Sequence, residues 1–347
     1  MKTKLFRKSF DLGSASIAFL CAFTAQLFFQ VIVLLCKPTV AAKTWTIVIG
    51  NQIVLFAAFI FFCFKNSIDP LEVTGLRRPP KWYYFPIFIL VALACVATFG
   101  PLAGVFSHLL TKLGYDYVPT YHIPTDNPGL FALAFLALTL LPLLGEETMV
   151  RGVVLSGGRA RSPMFAILFS ALIFALMHGN LRQIVHQFLL GAVMGYLAYL
   201  TGGIYASAVL HFVNNGVALL FEYGFKNGMI DPRAYWYLAG ELGAKSTLIG
   251  VVVGFFGLTM LLVMVTLMIH RERARNKDYI PCEDEGFRCR VAGYLRYLSA
   301  FPEESEKRDD GEGEKKRSPE RIYGMVPTIL LVVVLVVIIA VSLIPGV

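Results

Sequence analysis

Two carboxylates and a guanidinium stand close together at the end of an otherwise apolar run, at positions Glu146, Glu147 and Arg151. A charge at the centre of a bilayer costs about 2.5–3.5 kcal/mol, so this cluster needs partners or a function. Glu147 and Arg151 are four residues apart, which predicts an ion pair on one face of a helix. Glu146 is turned about 140° away from Arg151 around that helix. The spacing therefore predicts one paired carboxylate and one that is free to react.

Further polar side chains occur in two later apolar runs. His178 follows Phe174 by four residues, so the aromatic ring can position the imidazole, and His211 precedes Asn215 by four. Counted at 1.5 Å per residue from the expected helix ends, Glu146 and these three polar side chains lie about 12 to 22 Å deep. We therefore expect them to surround one buried, hydrated cavity.

The residue types in this group suit the hydrolysis of an amide by an activated water. An apolar surround makes Glu146 a suitable general base, and His178 would help it to hold and deprotonate the water. His211 and Asn215 would donate hydrogen bonds to the oxyanion of the tetrahedral intermediate. No Ser or Cys stands with a base in this group, so a covalent nucleophile is not expected, and no cofactor is required.

A zinc ion is the competing chemical interpretation of the same residues. Glu146, His178 and His211 would supply three ligands and leave one position open for water. The H-E-x-x-H arrangement, which supplies two ligands and a base from one helix, is absent from the sequence. The residue types alone therefore favour a metal-free glutamate mechanism and leave zinc as the alternative.

Several polar residues near this group have simpler, structural interpretations. The pair Glu147–Arg151 is expected to be structural, because pairing is how such charges persist in lipid. His186 is expected to hydrogen-bond between helices and Asn214 to serve packing or helix bonding. Asn180, just after the fifth apolar run, is expected to cap a helix end.

These side chains must be positioned by helices that cross a membrane. The chain has 347 residues, of which 56% are hydrophobic and 16% are charged, whereas about a quarter of the residues in soluble domains are charged. Successive apolar runs of about 18–25 residues predict an all-α, polytopic helical membrane protein with about eight or nine transmembrane helices. The candidate spans are 12–36, 44–64, 83–107, 129–157, 163–179, 183–201, 203–223, 246–270 and 325–345.

The net charge of +8 would suggest nucleic acid as a partner of a soluble protein, but basic loops explain it here. Lys and Arg cluster before the first span, after the second, between the fourth and fifth, and after the eighth. These clusters share one side if the spans alternate, which predicts a cytoplasmic N-terminus and an active site that opens towards the cytoplasm. The expected partners are the lipid bilayer and a peptide or protein substrate, with or without a lipid anchor, and no nucleic acid.

Composition divides the chain into five parts. They are N-terminal transmembrane helices (1–124), a catalytic core (125–222), an outer loop with a transmembrane helix (223–270), a charged cytoplasmic insertion (271–324) and a C-terminal transmembrane helix (325–347). Within the insertion, residues 291–301 are expected to form an interfacial helix and residues 303–321 to be disordered. Gly191 and Gly195 predict close packing of the sixth span, and the six cysteines are expected to be free thiols.

The three polar patterns resemble the signatures of the CPBP family, the CAAX proteases and bacteriocin-processing enzymes, also called Abi proteins. The family patterns E-E-x-x-x-R, F-x-x-x-H and H-x-x-x-N correspond to Glu146–Arg151, Phe174–His178 and His211–Asn215. The resemblance covers about residues 125–222 and implies an intramembrane endopeptidase similar to the CAAX prenyl endopeptidases. It also implies that the first Glu and the second-motif His activate water, and that the third-motif His and Asn form the oxyanion site.

A rival hypothesis from another class is a proton-coupled transporter or a bacteriocin-immunity protein that uses the same polar cavity without proteolysis. Intramembrane carboxylates and histidines also form proton relays, so the residue types permit this function. A non-catalytic scaffold is a third hypothesis, but a scaffold would gain nothing from buried, unpaired polar groups. Product peptides would favour the protease, whereas flux of an intact solute would favour the transporter.

Overall fold

The computed structural model describes residues 10–115, 123–159, 161–275 and 327–336. These residues form helices and include no β-strand, as the sequence predicts. The helices are α1 (Leu12–Leu35), α2 (Val40–Lys65), α3 (Pro70–Val73), α4 (Tyr84–Lys112), α5 (Pro128–Leu144), α6 (Ser156–Gly158), α7 (Pro163–Leu176), α8 (Ile184–Thr201), α9 (Tyr205–Lys226), α10 (Pro232–Leu238), α11 (Ala244–Arg275) and α12 (Pro327–Val336). A π-helix, Thr148–Leu155, precedes α6, and a 3₁₀ turn, Leu181–Gln183, precedes α8.

Six helical segments of the described chain are long and apolar enough to cross a membrane. They are α1, α2, α4, the continuous stretch Pro128–Gly158, the stretch Leu181–Thr201 and most of α11. α7 and the described part of α12 are apolar but shorter, and α9 carries His211, Asn214 and Asn215 in its interior. The protein is therefore a helical, polytopic integral membrane protein, and the predicted count of eight or nine spans is not confirmed.

Polar side chains fix the starts of several of these helices. Asp11, Thr39, Asn127 and Ser162 each accept a hydrogen bond from a backbone N–H in the first turn of α1, α2, α5 and α7. The first four N–H groups of a helix have no partner within it, so these caps remove part of that cost. Pro128 and Pro163 occupy the next position, where a missing N–H does no harm.

Contacts at one end of the bundle join the basic connection between α2 and α4 to two other elements. The backbone N–H of Ile204, at the start of α9, donates to the carbonyl of Thr74 at 2.9 Å. Lys81 forms an ion pair with Glu272 near the end of α11, with 2.9 Å between Nζ and Oε1. The hydrogen bond to Glu272 raises the pKa of Lys81. The α2–α4 connection, the α8–α9 turn and the end of α11 therefore lie together at this end of the bundle.

The opposite end is held together by a second set of contacts. Arg182, before α8, donates to Thr111 Oγ1 at 2.9 Å and to the carbonyl of Tyr115 at 3.1 Å, both near the end of α4. Lys226, at the end of α9, pairs with Asp126 before α5 at 2.8 Å. These contacts join the end of α4 to the start of α8 and the end of α9 to the start of α5. The orientation of these ends relative to the cytoplasm stays a prediction.

α4 contains an internal proline, Pro101, which cannot donate the usual helical hydrogen bond to the carbonyl four residues earlier. That carbonyl belongs to Ala97, and the hydroxyl of Tyr237 in α10 donates to it at 2.8 Å. A side chain from another helix therefore satisfies a backbone group that lipid could not satisfy. The same contact holds α10 against α4.

The C-terminal part of the described chain packs on the rest of the bundle. Leu331 and Leu335 of α12 are fully buried, and the hydroxyls of Thr328 and Ser16 lie 2.9 Å apart, which joins α12 to α1. α11 continues to Arg275, past the predicted end at 270. The expected interfacial helix and disordered segment of the insertion lie outside the described residues. The cysteines within the described chain are free thiols, as expected: Cys21, Cys36, Cys63 and Cys95.

Candidate active site

Glu147 and Arg151 form a fully buried ion pair. Neither side chain is exposed to solvent, and Arg151 Nε lies 3.5 Å from Glu147 Oε2. The guanidinium also donates to the carbonyl of Gly191 in α8 at 3.4 Å. Its Cζ atom lies 4.6 Å from the ring centroid of Phe174 in α7, a cation–π contact. The carboxylate thus neutralises the guanidinium, which is held between α7 and α8.

Two glycines of α8 allow this close arrangement. A Cβ atom at Gly191 would lie 3.1 Å from Phe174 Cδ1 and 3.2 Å from Ala171 Cα. A Cβ atom at Gly195 would lie 3.1 Å from Ser170 Oγ. Both glycines therefore face α7, and they bring α8 close enough for its backbone to reach Arg151. This is the helix packing that the small-residue pair predicts.

A π-helix begins directly after the two carboxylates. All eight residues of Thr148–Leu155 are buried, and the chain makes wider turns here, with hydrogen bonds from residue i to i+5. The angle of about 140° between Glu146 and Arg151 assumed a regular α-helix, so the local geometry departs from it. Such π-helical segments occur often at functional sites. Here the π-helix begins directly after Glu147 and contains Arg151, so it sets the relative position of the two paired side chains.

Glu146 has a different environment from its neighbour. The exposed fraction of its side chain is 13%. Its Oε1 accepts a hydrogen bond from Nε2 of Gln52 in α2 at 2.7 Å. Its Oε2 has no hydrogen-bond partner among the described residues and lies 3.9 Å from His211 Nε2. Glu146 therefore presents, beside an imidazole, one carboxylate oxygen that no protein donor occupies.

Gln52 is a functional candidate that the three motifs do not contain. The hint in the sequence is a pair of carboxamides, Asn51 and Gln52, in the middle of the apolar run 44–64. A polar residue inside a membrane helix needs a partner, but the sequence does not identify the helix that supplies it. Only the packing of α2 against the end of α5 places Gln52 beside Glu146.

His211 lies between the two carboxylates. Its Nδ1 is 2.9 Å from Glu147 Oε1, and an ionised carboxylate only accepts, so Nδ1 carries the hydrogen. Its Nε2 faces Glu146. The ring also meets Phe174 edge to face, with centroids 5.6 Å apart. His211 is thus held at one nitrogen and presents the other to Glu146.

His178 lies just past the end of α7, although the predicted span continued to residue 179. The helix ends at Leu176, and Gly179 adopts a positive φ of 59°, which favours glycine and turns the chain. His178 Nδ1 lies 2.7 Å from the carbonyl oxygen of Phe174, so Nδ1 is the donor and Nε2 of the neutral ring is left as an acceptor. The Phe174 ring meets His178 edge to face, with centroids 5.0 Å apart.

Asn215 contacts α5 at a break in its helical hydrogen bonding. Pro142 lies inside α5 and cannot donate to the carbonyl of Leu138, four residues earlier. The side-chain amide of Asn215 donates to that carbonyl at 2.9 Å. Asn215 lies one helical turn, about 6 Å, beyond His211 along α9. One of its two amide hydrogens is therefore used on the backbone, and the second remains for another acceptor.

Asn215 is itself held by a chain of polar side chains. Asn214 Nδ2 donates to Asn215 Oδ1 at 3.2 Å, and Asn214 Oδ1 lies 3.0 Å from Nε2 of His186 in α8. His186 thus makes an interhelical hydrogen bond, as expected. Asn180 caps the 3₁₀ turn before α8 rather than the end of α7.

The structure brings six of the seven predicted site residues into one connected group and holds the seventh, Asn215, on the adjoining turn of α9. The connected residues are Glu146, Glu147, Arg151, Phe174, His178 and His211.

A zinc ion would need Glu146, His178 and His211 around one point. The Nδ1 atoms of His178 and His211 already contact Phe174 and Glu147, so only their Nε2 atoms are left as ligands. Across the described ranges, no three His, Cys, Asp or Glu side chains are placed so that they could hold a metal ion together. The predicted zinc ligands therefore do not fit this geometry within the described residues.

Residues 128–217 match the family model described as type II CAAX prenyl endopeptidase Rce1-like. This segment is similar to the Rce1-like endopeptidases. The match confirms the resemblance to the CPBP family that the three motifs indicate. At the level of the family, it supports an intramembrane endopeptidase with a peptide substrate.

Other comparisons add less about activity. A protein of Escherichia coli described as an uncharacterized 24.3 kDa protein is 25% identical to this chain over 188 residues. The matched region covers 52% of this chain and 82% of that protein. No solved structure gives a significant match. The Rce1-like segment contains Glu146, His178, His211 and Asn215 but begins well after the end of α2, so Gln52 lies outside it.

Proposed function

We propose that this protein is an intramembrane endopeptidase in which Glu146 activates the attacking water. The observation that carries the proposal is the contrast between the two adjacent carboxylates. Glu147 is neutralised by Arg151 and hydrogen-bonded by His211, whereas Glu146 Oε2 has no donor among the described residues and faces His211 Nε2. A carboxylate with one oxygen held by a donor and the other left beside an imidazole suits a general base.

In the proposed reaction, Glu146 removes a proton from water while the water oxygen forms a bond to the carbonyl carbon of the substrate. His178 assists, because its Nε2 can accept the second hydrogen bond of the water. The resulting oxyanion accepts hydrogen bonds from His211 and from the unused amide hydrogen of Asn215. Glu146 then returns the proton to the leaving nitrogen as the C–N bond breaks, and the carboxylate is regenerated.

His211 has two tasks in this scheme. Because its Nδ1 hydrogen is directed to Glu147, Nε2 can donate to an oxyanion only when the ring carries both hydrogens. Glu147 therefore orients the imidazole and compensates the positive charge that this donation requires. Arg151 in turn keeps Glu147 ionised and in place. Glu147, Arg151 and Phe174 thus support the site without touching the substrate.

The proposal includes an arrangement in the membrane. The N-terminus is cytoplasmic, and the site opens to that side through a hydrated cavity. The catalytic core spans residues 125–222, the parts before and after it supply membrane helices, and 271–324 forms a charged cytoplasmic insertion. The substrate is a peptide or protein segment that reaches the site from the membrane or its surface, with or without a lipid anchor.

The test compares membranes that contain wild-type protein, Glu146→Gln or the control Glu222→Gln. Glu222 lies on α9 but is exposed and outside the site. Mass spectrometry of peptide termini should reveal a cleaved product in wild type and E222Q and the uncut precursor in E146Q. We expect the cleavage rate of E146Q to fall by about 10²- to 10⁴-fold, with the same folded yield.

Equal cleavage by E146Q and wild type would contradict the role of Glu146. Flux of an intact solute through the wild-type protein in liposomes, without any cleavage, would instead favour the transporter hypothesis. Loss of wild-type cleavage after chelation, with recovery on adding zinc, would contradict the metal-free mechanism.

A further inference from the structure

A hydrogen bond from outside the Rce1-like segment holds the carboxylate of Glu146. Gln52 lies near the middle of α2, and its Nε2 donates to Glu146 Oε1 at 2.7 Å. The two residues are 94 positions apart in the chain. An oriented partner of this kind restricts the rotation of the Glu146 side chain.

The neighbouring glycine makes this contact sterically possible. A Cβ atom at Gly145 would lie 2.3 Å from Gln52 Oε1 and 2.9 Å from the backbone carbonyl oxygen of Gln52. Any larger residue at position 145 would therefore push α2 away from the site or displace the Gln52 side chain. Gly145 allows α2 to approach the start of the Glu146–Glu147 pair.

The chemical nature of the donor matters as much as its position. Glu147 is paired with a guanidinium, which neutralises its charge, whereas Glu146 is held by a neutral carboxamide. A neutral donor can orient a carboxylate without forming an ion pair that would reduce its ability to accept a proton. It also occupies only Oε1, so Oε2 is directed towards His211.

We propose that Gln52 is a positioning residue, which fixes the Glu146 carboxylate so that Oε2 faces the attacking water. This inference rests on the proposed function, and it extends the site to α2, beyond the segment that carries the three motifs. Gln52 acts through Glu146 and does not contact the substrate.

The first test replaces Gln52 by methionine, which has similar length and no donor. We expect kcat of Gln52→Met to fall by about 10- to 100-fold, the range for a lost hydrogen bond to a charged group, with little change in KM. The matched control is Asn51→Leu. Asn51 is the adjacent carboxamide of α2, but it accepts from Gln30 in α1 at 3.3 Å, so N51L should keep the wild-type kcat.

The second test moves Gln52 without changing its chemistry. Gly145→Ala should displace the Gln52 side chain and reproduce the fall in kcat of Q52M. Its control is Gly257→Ala in α11, since a Cβ atom there would meet nothing within 4 Å. This variant keeps the inference testable if Q52M fails to fold.

Infrared difference spectra test the contact without any substrate. The carboxylate band that is present in wild type and missing in E146Q reports Glu146. We expect this band to shift in Q52M and to stay unchanged in N51L. An unshifted band, an unchanged kcat in folded Q52M, or an equal fall of kcat in N51L would each overturn the inference. If wild-type protein cleaves nothing, the proposed function fails, and the infrared result still decides whether Gln52 holds Glu146.

Discussion

The helices α4 and α5 each contain an internal proline, and each receives a side-chain donor from another helix at the carbonyl that the proline leaves unpaired. At Pro101 the donor is the hydroxyl of Tyr237, bonded to Ala97. At Pro142 the donor is the carboxamide of Asn215, bonded to Leu138. The geometry is the same in both places: a carbonyl four residues before a proline accepts from a neighbouring helix.

The difference between the two breaks lies in what else the donor does. The phenol of Tyr237 has one hydrogen, and its bond to Ala97 uses it. Asn215 has two amide hydrogens, accepts from Asn214, and lies one turn from His211. A residue of the third motif therefore stabilises the backbone of the helix that carries Glu146. Loss of activity on changing Asn215 would then not by itself establish a catalytic role.

The largest expected effect comes from two single variants, each of which removes one of these side-chain donors. Asn215→Leu should lower cleavage by at least about 100-fold, because an oxyanion donor is lost, and should lower the free energy of unfolding by about 1–3 kcal/mol, because the Leu138 carbonyl loses its partner. Tyr237→Phe should cause a similar loss of stability at Ala97 and leave cleavage unchanged. Thermal unfolding in detergent and peptide cleavage, measured on the same preparations, would separate the two effects. A fall in cleavage by Y237F would show that the two breaks are not independent.

An intermediate effect comes from restoring the backbone donor. In Pro142→Ala the new N–H can bond to the Leu138 carbonyl, so Asn215→Leu should cost about 1–3 kcal/mol less stability in the P142A background than in wild type. Cleavage should not recover. The general cost of replacing proline acts through the unfolded chain and cancels in the double-mutant cycle. Parallel recovery of cleavage would contradict an oxyanion role for Asn215.

The smallest effect concerns His186 and Asn214, the side chains that are hydrogen-bonded in series to Asn215. His186→Leu removes the hydrogen bond to Asn214, which is worth about 1 kcal/mol for a neutral pair, so kcat should fall about fivefold. The control is His108→Leu, since His108 lies at the surface of α4, 3.5 Å from Glu241 and outside the site. Steady-state kinetics of both variants would suffice. A change in KM alone for H186L would indicate that the chain shapes substrate binding instead.

The parts of this site that follow from local spacing could be predicted from the sequence. The Glu147–Arg151 and Phe174–His178 contacts join residues four apart, so they are local contacts that the spacing predicts. They form although the first pair enters a π-helix and His178 lies past the end of α7. The helical membrane architecture follows from the long apolar runs. The predicted count of eight or nine spans is not confirmed, because α9 carries polar residues and because α7 and the described part of α12 are short.

Contacts between distant helices could not be predicted in the same way. Gln52 meets Glu146 only through the relative rotation and height of α2 and α5, which no local pattern specifies. The link between Asn215 and Leu138 had a signal, since a proline inside an apolar run always leaves one carbonyl unpaired. The sequence does not tell which side chain donates a hydrogen bond to that carbonyl. The early end of α7 likewise depends on the conformation of Gly179.

The π-helix between Glu147 and Ser156 has a consequence for how this region tolerates change in length. Its wider turns accommodate more residues over the same axial rise than an α-helix would. Deleting one residue there would allow the stretch to tighten and would rotate everything after it relative to the carboxylate pair, while conservative exchanges among its valines would keep the register. Length is therefore a constrained property of Thr148–Leu155, together with the identity of Arg151, whose guanidinium pairs with Glu147.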